Sequence, residues 1–176
     1  MSAQKTVAIL IEQDFQDLEV WYPALRFREA GYQVVFAGTG SAAQYKGKFG
    51  YPATADTTVD KIGADDFDVL IIPGGWAPDF LRRFPKAIQL VKDADRAGKV
   101  IGSICHGGWL LASAEIVKGR KVTSFSAIKD DLIHAGANYV DAEVVVDGNL
   151  VTSRKPDDLP AFCRAILQLT QHEVHA

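Results

Sequence analysis

The sequence predicts a single α/β domain built on a doubly wound, mostly parallel sheet with helices on both faces. Short apolar strands alternate with helical patterns along the whole chain, which is typical of repeated strand-helix-strand units. One of these strands, residues 69–72, is apolar without a break, as expected for a parallel strand that is covered on both faces. No repeat, linker or low-complexity stretch divides the chain, so residues 1–176 are predicted to form one domain.

The elements follow from hydrophobic periodicity and from the residues that end each run. Strands are predicted at residues 7–11, 32–37, 69–72, 100–103 and 121–124, and a hairpin joins 143–146 to 150–153. Helices are predicted at residues 18–30, 86–97, 109–114, 129–135 and 160–171. Asp17 is expected to cap the first helix, and Gly31, Gly98 and Gly136 follow three of them, where glycine commonly ends a helix. The glycine-bearing segment 45–52 predicts a hairpin or a bend.

Composition and charge exclude several classes of function. The chain is 48% hydrophobic and 23% charged with a formal net charge of −3, the profile of a globular domain. It contains no Lys/Arg block longer than a pair, so nucleic acid is not expected as a primary ligand. No apolar run approaches the length of a membrane span, and no membrane partner is expected. With two cysteines and no secretory signal pattern, a reducing, cytoplasmic setting is predicted.

The strongest chemical signal is a cysteine between a strand and a helix. Cys105 directly follows an apolar strand, and Gly107 comes two residues later, as in the strand-turn-helix that presents a nucleophilic serine in G-x-S-x-G. Ser103 stands where that pattern has its first glycine and is still small. A sulfur beside a helix N-terminus is expected to ionise readily, because unpaired N–H groups and the helix dipole favour the thiolate. The alternative interpretation of Cys105 is a small buried core residue.

Two other strand ends fall at the same predicted edge of the sheet. Glu12 follows the first strand, and its carboxyl could share a proton with the sulfur or act as acid and base. The turn containing Gly74 and Gly75 could present bare backbone N–H groups to an oxyanion. An exposed Glu12 and a plain strand-to-loop turn are the alternatives. No metal site is expected, because nothing near the other histidines completes a metal-ligand spacing.

Four segments together resemble the PfpI branch of the ThiJ/PfpI superfamily, over nearly the whole chain. They are Ile104-Cys105-His106-Gly107, Ile72-Pro73-Gly74-Gly75, Glu12 with the downstream Asp17-Leu18-Glu19, and residues 141–154. The resemblance implies a flavodoxin-like fold, within the class I glutamine amidotransferase-like group, and no cofactor. It further implies Cys105 as nucleophile, Glu12 as its proton-sharing partner, and the N–H groups of Gly75 and His106 as oxyanion donors.

The peptidase-like members of this group imply a further arrangement. There His106 would be the base, and an acid from a neighbouring subunit, at or beside Asp79, would complete a triad. The resemblance therefore implies a homo-oligomer, either a dimer or a trimer of dimers. Asp79 is one carbon shorter than the Glu of that pattern, which reduces its reach to the histidine.

The predicted function is that of a stress-related, cysteine-dependent enzyme acting on reactive carbonyls, as a glyoxalase III or a deglycase. Thiolate addition to a carbonyl needs no metal, and a carboxyl group can carry the proton. The first alternative is an intracellular cysteine peptidase, so the substrate is either a small carbonyl compound or a peptide. Two other hypotheses are a redox sensor based on oxidation of Cys105 and a chaperone-like stress protein. A glutamine amidotransferase is not favoured, because no His-x-Glu pair follows Cys105.

Overall fold

The computed structural model describes residues 3–172, apart from the side chain of His172. The strands are β1 (Thr6–Leu10), β2 (Gln33–Gly38), β3 (Gln44–Lys46), β4 (Pro52–Thr54), β5 (Thr57–Thr58), β6 (Val69–Ile72), β7 (Val100–Ile104), β8 (Lys121–Val122), β9 (Asn138–Tyr139), β10 (Val145–Asp147) and β11 (Leu150–Ser153). The helices are α1 (Asp17–Glu29), α2 (Ala77–Leu81), α3 (Pro85–Arg96), α4 (Gly108–Ser113), α5 (Lys129–His134) and α6 (Leu159–His172). Short 3₁₀ turns occupy Ala64–Asp66, Cys105–Gly107, Ser126–Ile128 and Pro156–Asp158.

The centre of the molecule is a seven-stranded sheet in the order β10-β11-β7-β6-β1-β2-β5. Every pair in it is parallel except the β10–β11 hairpin. Helices α1 and α6 pack together on one side, while α3, α4 and α5 form a second group. This confirms the predicted doubly wound sheet. All of β6 and β7 is buried, so the two strands that lead into the candidate site have little freedom to move.

Close packing against β7 fixes the strand that carries the cysteine. Gly102 lies in its middle, and a Cβ there would lie 2.7 Å from Ile166 Cδ1 and 2.8 Å from the ring of Phe162. The missing side chain lets α6 pack directly on the strand, and both of these α6 side chains are fully buried. The backbone that leads to Cys105 is therefore held from one face by a large aromatic and a branched aliphatic group.

The predicted hairpin or bend at residues 45–52 is a hairpin, β3–β4. Other elements differ from the sequence prediction. Strand β8 is shorter than expected and pairs with β9 in a separate two-stranded sheet. Helix α2 was not predicted, because it is a single turn and a half that begins within Trp-Ala-Pro. His175 lies outside the described residues, and His134 is exposed at the end of α5.

The start of α1 also differs, in a way that matters for the site. Its N-cap is Gln16, whose Oε1 accepts hydrogen bonds from the N–H groups of Leu18 and Glu19. Asp17, the predicted cap, instead accepts from the backbone N–H of Phe49 at 3.0 Å and of Tyr51 at 2.9 Å. It thereby ties the turn after β3 to the first helix.

Candidate active site

Cys105 lies at a strained turn where β7 ends. Its φ of 60° is in the left-handed region, which non-glycine residues rarely adopt and which concentrates at functional sites. The chain then passes through the 3₁₀ turn into α4, and this is possible only because Gly107 has no side chain. A Cβ there would lie 2.7 Å from both the Ile72 carbonyl oxygen and Ser103 Oγ. The structure thus has the strand-turn-helix geometry that the sequence predicts.

The carboxyl group beside the thiol belongs to Glu19, in the first turn of α1. Glu19 is fully buried, and its Oε1 accepts a hydrogen bond of 2.8 Å from the Gly74 N–H. Its other oxygen, Oε2, is buried and has no N–H or O–H donor among the described residues. Burial raises the pKa of Glu19 from 4.5 to about 8, while the Gly74 N–H, Lys48 and the Cys105 thiol act to lower it. At neutral pH Glu19 therefore holds a proton next to the sulfur.

Opposing effects act on the sulfur itself. Burial, and then the charge of an ionised Glu19, raise the pKa of the Cys105 thiol from 9.0 to about 12, although the N–H groups of His106 and Gly75 and the charge of Lys48 act to lower it. This is opposite to the readily ionised sulfur that the sequence predicts. Because Glu19 is protonated up to a pH of about 8, its unfavourable charge is largely absent at neutral pH. Each of the two groups therefore acts on the pKa of the other, but burial is the largest cause of both shifts.

The two N–H groups of the Gly74–Gly75 turn point to different partners. The Gly74 N–H donates a hydrogen bond of 2.8 Å to Glu19 Oε1, so it is not free to bind an oxyanion as the sequence suggested. The second glycine of the turn has φ of +71°, and a Cβ there would lie 2.4 Å from the Gln16 nitrogen and 2.5 Å from the Asp14 carbonyl oxygen. That glycine directs its N–H to the sulfur of Cys105, as does His106. The N–H groups of Gly75 and His106 therefore remain the candidate oxyanion donors.

The ring of His106 lies against the thiol inside an aromatic cluster. Its Nδ1 is 3.3 Å from Cys105 Sγ. The ring stacks on Phe125 with centroids 5.1 Å apart and meets the edge of Trp109 at the same distance. Burial, and next the charge of Lys48, lower the pKa of His106 below its ordinary value of 6.5. The imidazole is therefore neutral at pH 7 and can accept a proton from the thiol or from water.

Glu12 does not lie beside the thiol, and this prediction is corrected. Its carboxylate accepts hydrogen bonds from the hydroxyls of Thr39 and Ser41 and from the Gln13 N–H. Those hydroxyls follow β2, whereas Cys105 follows β7, which is separated from β1 by β6. Glu12 is 4% exposed, and its hydrogen bonds to these hydroxyls lie on the opposite side of β1 from the thiol.

Asp79 forms no contact with His106 within the described part of the chain. Its Oδ2 accepts a 2.7 Å hydrogen bond from Arg83 Nη2, one turn further along the chain. The Asp79 side chain is 40% exposed, so it lies on the outer surface of the molecule. Within residues 3–172 the His106 ring has no carboxylate partner.

A cavity of 230 Å³ opens over the thiol. Cys105, His106, Gly75, Trp76, Phe125 and two lysines, Lys48 and Lys155, are among the residues that line it. Pockets for drug-sized ligands have volumes of about 300–1,000 Å³, so this one suits a small molecule or a single modified side chain.

No group of three His, Cys, Asp or Glu side chains in residues 3–172 is arranged to hold a metal ion. Over the same residues, no helix is both long and apolar enough to cross a bilayer.

Comparison with known proteins agrees with this geometry. The DJ-1/PfpI family model matches residues 5–169. The chain belongs to the DJ-1/PfpI family. It is 42% identical to the Deglycase PfpI of Pyrococcus furiosus over 163 residues, which cover 93% of this chain and 98% of the relative. It is also 43% identical to the Protein/nucleic acid deglycase 2 of Escherichia coli over 167 residues, covering 94% and 97%.

A solved structure confirms the fold of this DJ-1/PfpI protein. It is a two-domain protein of Anabaena variabilis that contains DJ-1/ThiJ/PfpI-like and ferritin-like domains, and it matches with a TM-score of 0.94 and 43% identity. The match covers 96% of this chain and 48% of the Anabaena chain, so the present protein spans about half the length of that relative.

Sequence reasoning missed Glu19 as the carboxyl of this DJ-1/PfpI site, although Asp17-Leu18-Glu19 was part of the resemblance. A Glu at the third position of a helix ordinarily turns back to its own N-cap, and this is the usual interpretation of such a residue. Here the backbone N–H of the N-cap, Gln16, donates to the Gly74 carbonyl at 3.2 Å instead, so Glu19 is free to turn towards the sheet edge. The signal in the sequence was the Asp17-Leu18-Glu19 segment itself, which places a carboxyl in the first turn of a helix that follows a strand ending at that edge.

Proposed function

We propose that this protein is a cysteine-dependent enzyme that acts on reactive carbonyl compounds, as a glyoxalase III or a deglycase. The single observation that carries the proposal is the strained Cys105, whose sulfur receives two backbone N–H groups and faces the buried Glu19. Two relatives at 42% and 43% identity are named deglycases, which supports the same class of reaction. The two free cysteines suit a reducing, cytoplasmic setting.

The proposed chemistry begins with Glu19 protonated and Cys105 as a thiol, which passes its proton to neutral His106 as the sulfur attacks. The sulfur forms a bond to the aldehyde carbon of a 2-oxoaldehyde such as methylglyoxal, and the electron pair of the C=O bond moves to oxygen. The N–H groups of Gly75 and His106 stabilise that oxygen, and the Glu19 proton then neutralises it to give a hemithioacetal. No redox partner is needed for this addition.

The Glu19 carboxylate left by that transfer is placed to act as a base. It removes the proton from the former aldehyde carbon, and protonated His106 gives its proton to the neighbouring carbonyl oxygen, which produces an enediol. Glu19 then returns its proton to the neighbouring carbon and takes the hydroxyl proton of the first carbon, which leaves a 2-hydroxyacyl thioester, a protonated Glu19 and a neutral His106. Neutral His106 is suited to activate the water that cleaves the thioester and restores the thiol. In the deglycase version the sulfur attacks the carbinol carbon that already carries the amine or thiol. The C–N or C–S bond of that carbon breaks, and the released amine or thiol takes the Glu19 proton.

Steady-state kinetics with methylglyoxal on three variants test this assignment. Cys105→Ala is expected to abolish turnover, and Glu19→Gln to lower kcat by roughly 10²–10⁴-fold, the usual contribution of a general acid-base. Glu12→Gln is the matched control, because it makes the same chemical change at a carboxyl group outside the site. Full turnover in Cys105→Ala would refute the proposal, and a Glu12→Gln loss as large as that of Glu19→Gln would refute the role given to Glu19.

A second candidate function is peptide hydrolysis, favoured by the 3.3 Å contact between His106 Nδ1 and Cys105 Sγ. A Cys-His pair needs an acid to orient the imidazole, and the described part of the chain offers His106 none. Asp79 of a neighbouring subunit is the candidate, which makes a homo-oligomer part of this proposal. Asp79→Asn should then abolish peptide cleavage and leave methylglyoxal turnover intact. Unchanged cleavage of a fluorogenic peptide would exclude the triad.

A further inference from the structure

Two lysines from distant parts of the chain meet at the cavity over the thiol. Lys48 follows β3 and Lys155 follows β11, and both line the same 230 Å³ cavity as Cys105. Neither forms a salt bridge within residues 3–172. Both lysines are exposed at the rim of the cavity, and no carboxylate within residues 3–172 lies within salt-bridge distance of either.

The backbone around Lys48 is fixed in place. Its N–H donates to the Phe15 carbonyl at 2.8 Å, and the next residue, Phe49, donates its N–H to Asp17 at 3.0 Å. The ammonium group lies 5.2 Å from the centroid of the Phe49 ring. Its charge lowers the pKa values of Glu19, Cys105 and His106, which shows that its field reaches the reacting groups.

The backbone around Lys155 is fixed by a tight turn. Its carbonyl accepts the Asp158 N–H at 2.9 Å at the start of the Pro156–Asp158 3₁₀ turn. The preceding Arg154 is engaged differently, because its guanidinium binds Asp158 at 3.0 Å and Asp141 at 2.9 Å. The arginine is thus neutralised by two carboxylates, and the lysine remains available to a ligand.

The positive charge continues into an adjoining cavity of 400 Å³. The two cavities share Phe125 and Lys155 as walls, and the second is also lined by Lys129 and by the paired Arg154 and Asp141. The whole chain carries a formal net charge of −3, whereas the side chains grouped around this cysteine are mainly basic, so the local charge is opposite in sign to the net charge. Such a local reversal of charge favours the approach and binding of an anionic ligand.

We propose that Lys48 and Lys155 form an anion-binding subsite beside Cys105, and that the preferred substrates are carbonyl compounds or adducts bearing a carboxylate or phosphate group near the reacting carbon. This inference rests on the proposed function and specifies its substrate class. Neutral methylglyoxal lacks such a group. A methylglyoxal adduct of an amino acid or peptide with a free carboxylate has one, and the lysines would hold it while the sulfur attacks.

Alkylation of Cys105 by iodoacetate and iodoacetamide tests the subsite without any turnover. The two reagents transfer groups of nearly equal size to sulfur with loss of iodide, but only iodoacetate is an anion. Rates at Cys105 are read by mass spectrometry, and their ratio is divided by the ratio measured for N-acetylcysteine. We expect this normalised ratio to favour iodoacetate, and to fall by roughly fivefold in Lys48→Met and in Lys155→Met, the effect of losing one exposed charge pair.

Lys61→Met is the matched control, because Lys61 follows β5 at the opposite edge of the sheet from β11. It should leave the normalised ratio unchanged. A normalised ratio of one in the wild type, or one that neither site variant lowers, would overturn the proposal. If acetate protects Cys105 from iodoacetamide, the subsite binds carboxylates. If only inorganic phosphate protects it, the subsite binds phosphate. Either result supports the proposed anion-binding subsite.

Turnover then separates this inference from the proposed function. The methylglyoxal adducts of N-acetylcysteine and of N-acetylcysteine amide have the same reacting centre, and only the first carries a carboxylate. We expect a higher kcat/KM for the first, with the difference lost in Lys155→Met. A preference for iodoacetate in a protein that turns over neither adduct would refute the carbonyl reaction and leave the anion subsite standing. Equal kcat/KM for the two adducts would refute the substrate class.

Discussion

Replacing Glu19 with Gln should remove a large pH dependence from the stability of the protein. Gln keeps the oxygen that accepts the 2.8 Å hydrogen bond from Gly74 and places an amide N–H where the carboxyl proton meets the sulfur. The substitution therefore preserves shape and hydrogen bonding, and removes only the capacity to ionise. Glu19 is fully buried, so solvent does not screen the effect.

The magnitude follows from the pKa of Glu19, which is about 8 in the folded chain against an ordinary 4.5. Between these two values the native state retains a proton that the unfolded chain has lost, so stability falls as pH rises. Each pH unit in that window costs about 1.4 kcal/mol. From pH 5 to pH 8 the wild type should therefore lose about 3.5 kcal/mol more than Glu19→Gln.

Urea unfolding of both proteins at pH 5, 6, 7 and 8 measures this difference. His106 acts with the opposite sign, because its lowered pKa makes stability rise with pH below its ordinary value of 6.5. The histidine is present in both proteins, so its contribution cancels in the comparison. Glu29→Gln makes the same change at a side chain that is 77% exposed and controls for the substitution itself. Parallel stability curves for wild type and Glu19→Gln would refute the buried, protonated carboxyl.

Three further substitutions test the packing around the site. Gly75→Ala places a Cβ 2.4 Å from the Gln16 nitrogen at a φ of +71°, so it should lower the free energy of unfolding by at least about 1–2 kcal/mol and slow the alkylation of Cys105. Gly63→Ala is the control, because no atom lies within 4 Å of the added Cβ, and it should change neither quantity. Phe162→Ala empties the space between α6 and β7 and should lower the free energy of unfolding by about 3–5 kcal/mol in urea titrations. Thr39→Val removes a hydroxyl from buried Glu12 and should cost about 1–3 kcal/mol without changing the alkylation rate of Cys105. A slowed alkylation in Thr39→Val would mean that the Glu12 network does support the thiol.

The sequence by itself determined the architecture and the position of Cys105, the proposed nucleophile. Alternating apolar runs predict the parallel strands, because the two faces of a buried parallel strand must both be apolar. Cys105 and Gly107 predict the elbow, because that turn needs a small residue where the helix meets the strand. These are local properties, in which a few neighbouring residues decide the outcome.

Only the tertiary structure decided which carboxyl group meets the sulfur. Glu12 and Glu19 lie seven positions apart, and both precede or begin the same helix, so no local pattern ranks one above the other. The strand order settles it: β6 separates β1 from β7, which leaves Glu12 with the hydroxyls after β2 and lets α1 bring Glu19 to Gly74 and Cys105. The pairing of Lys48 with Lys155 has the same origin, because more than a hundred residues separate them and only the closed fold places both at one cavity.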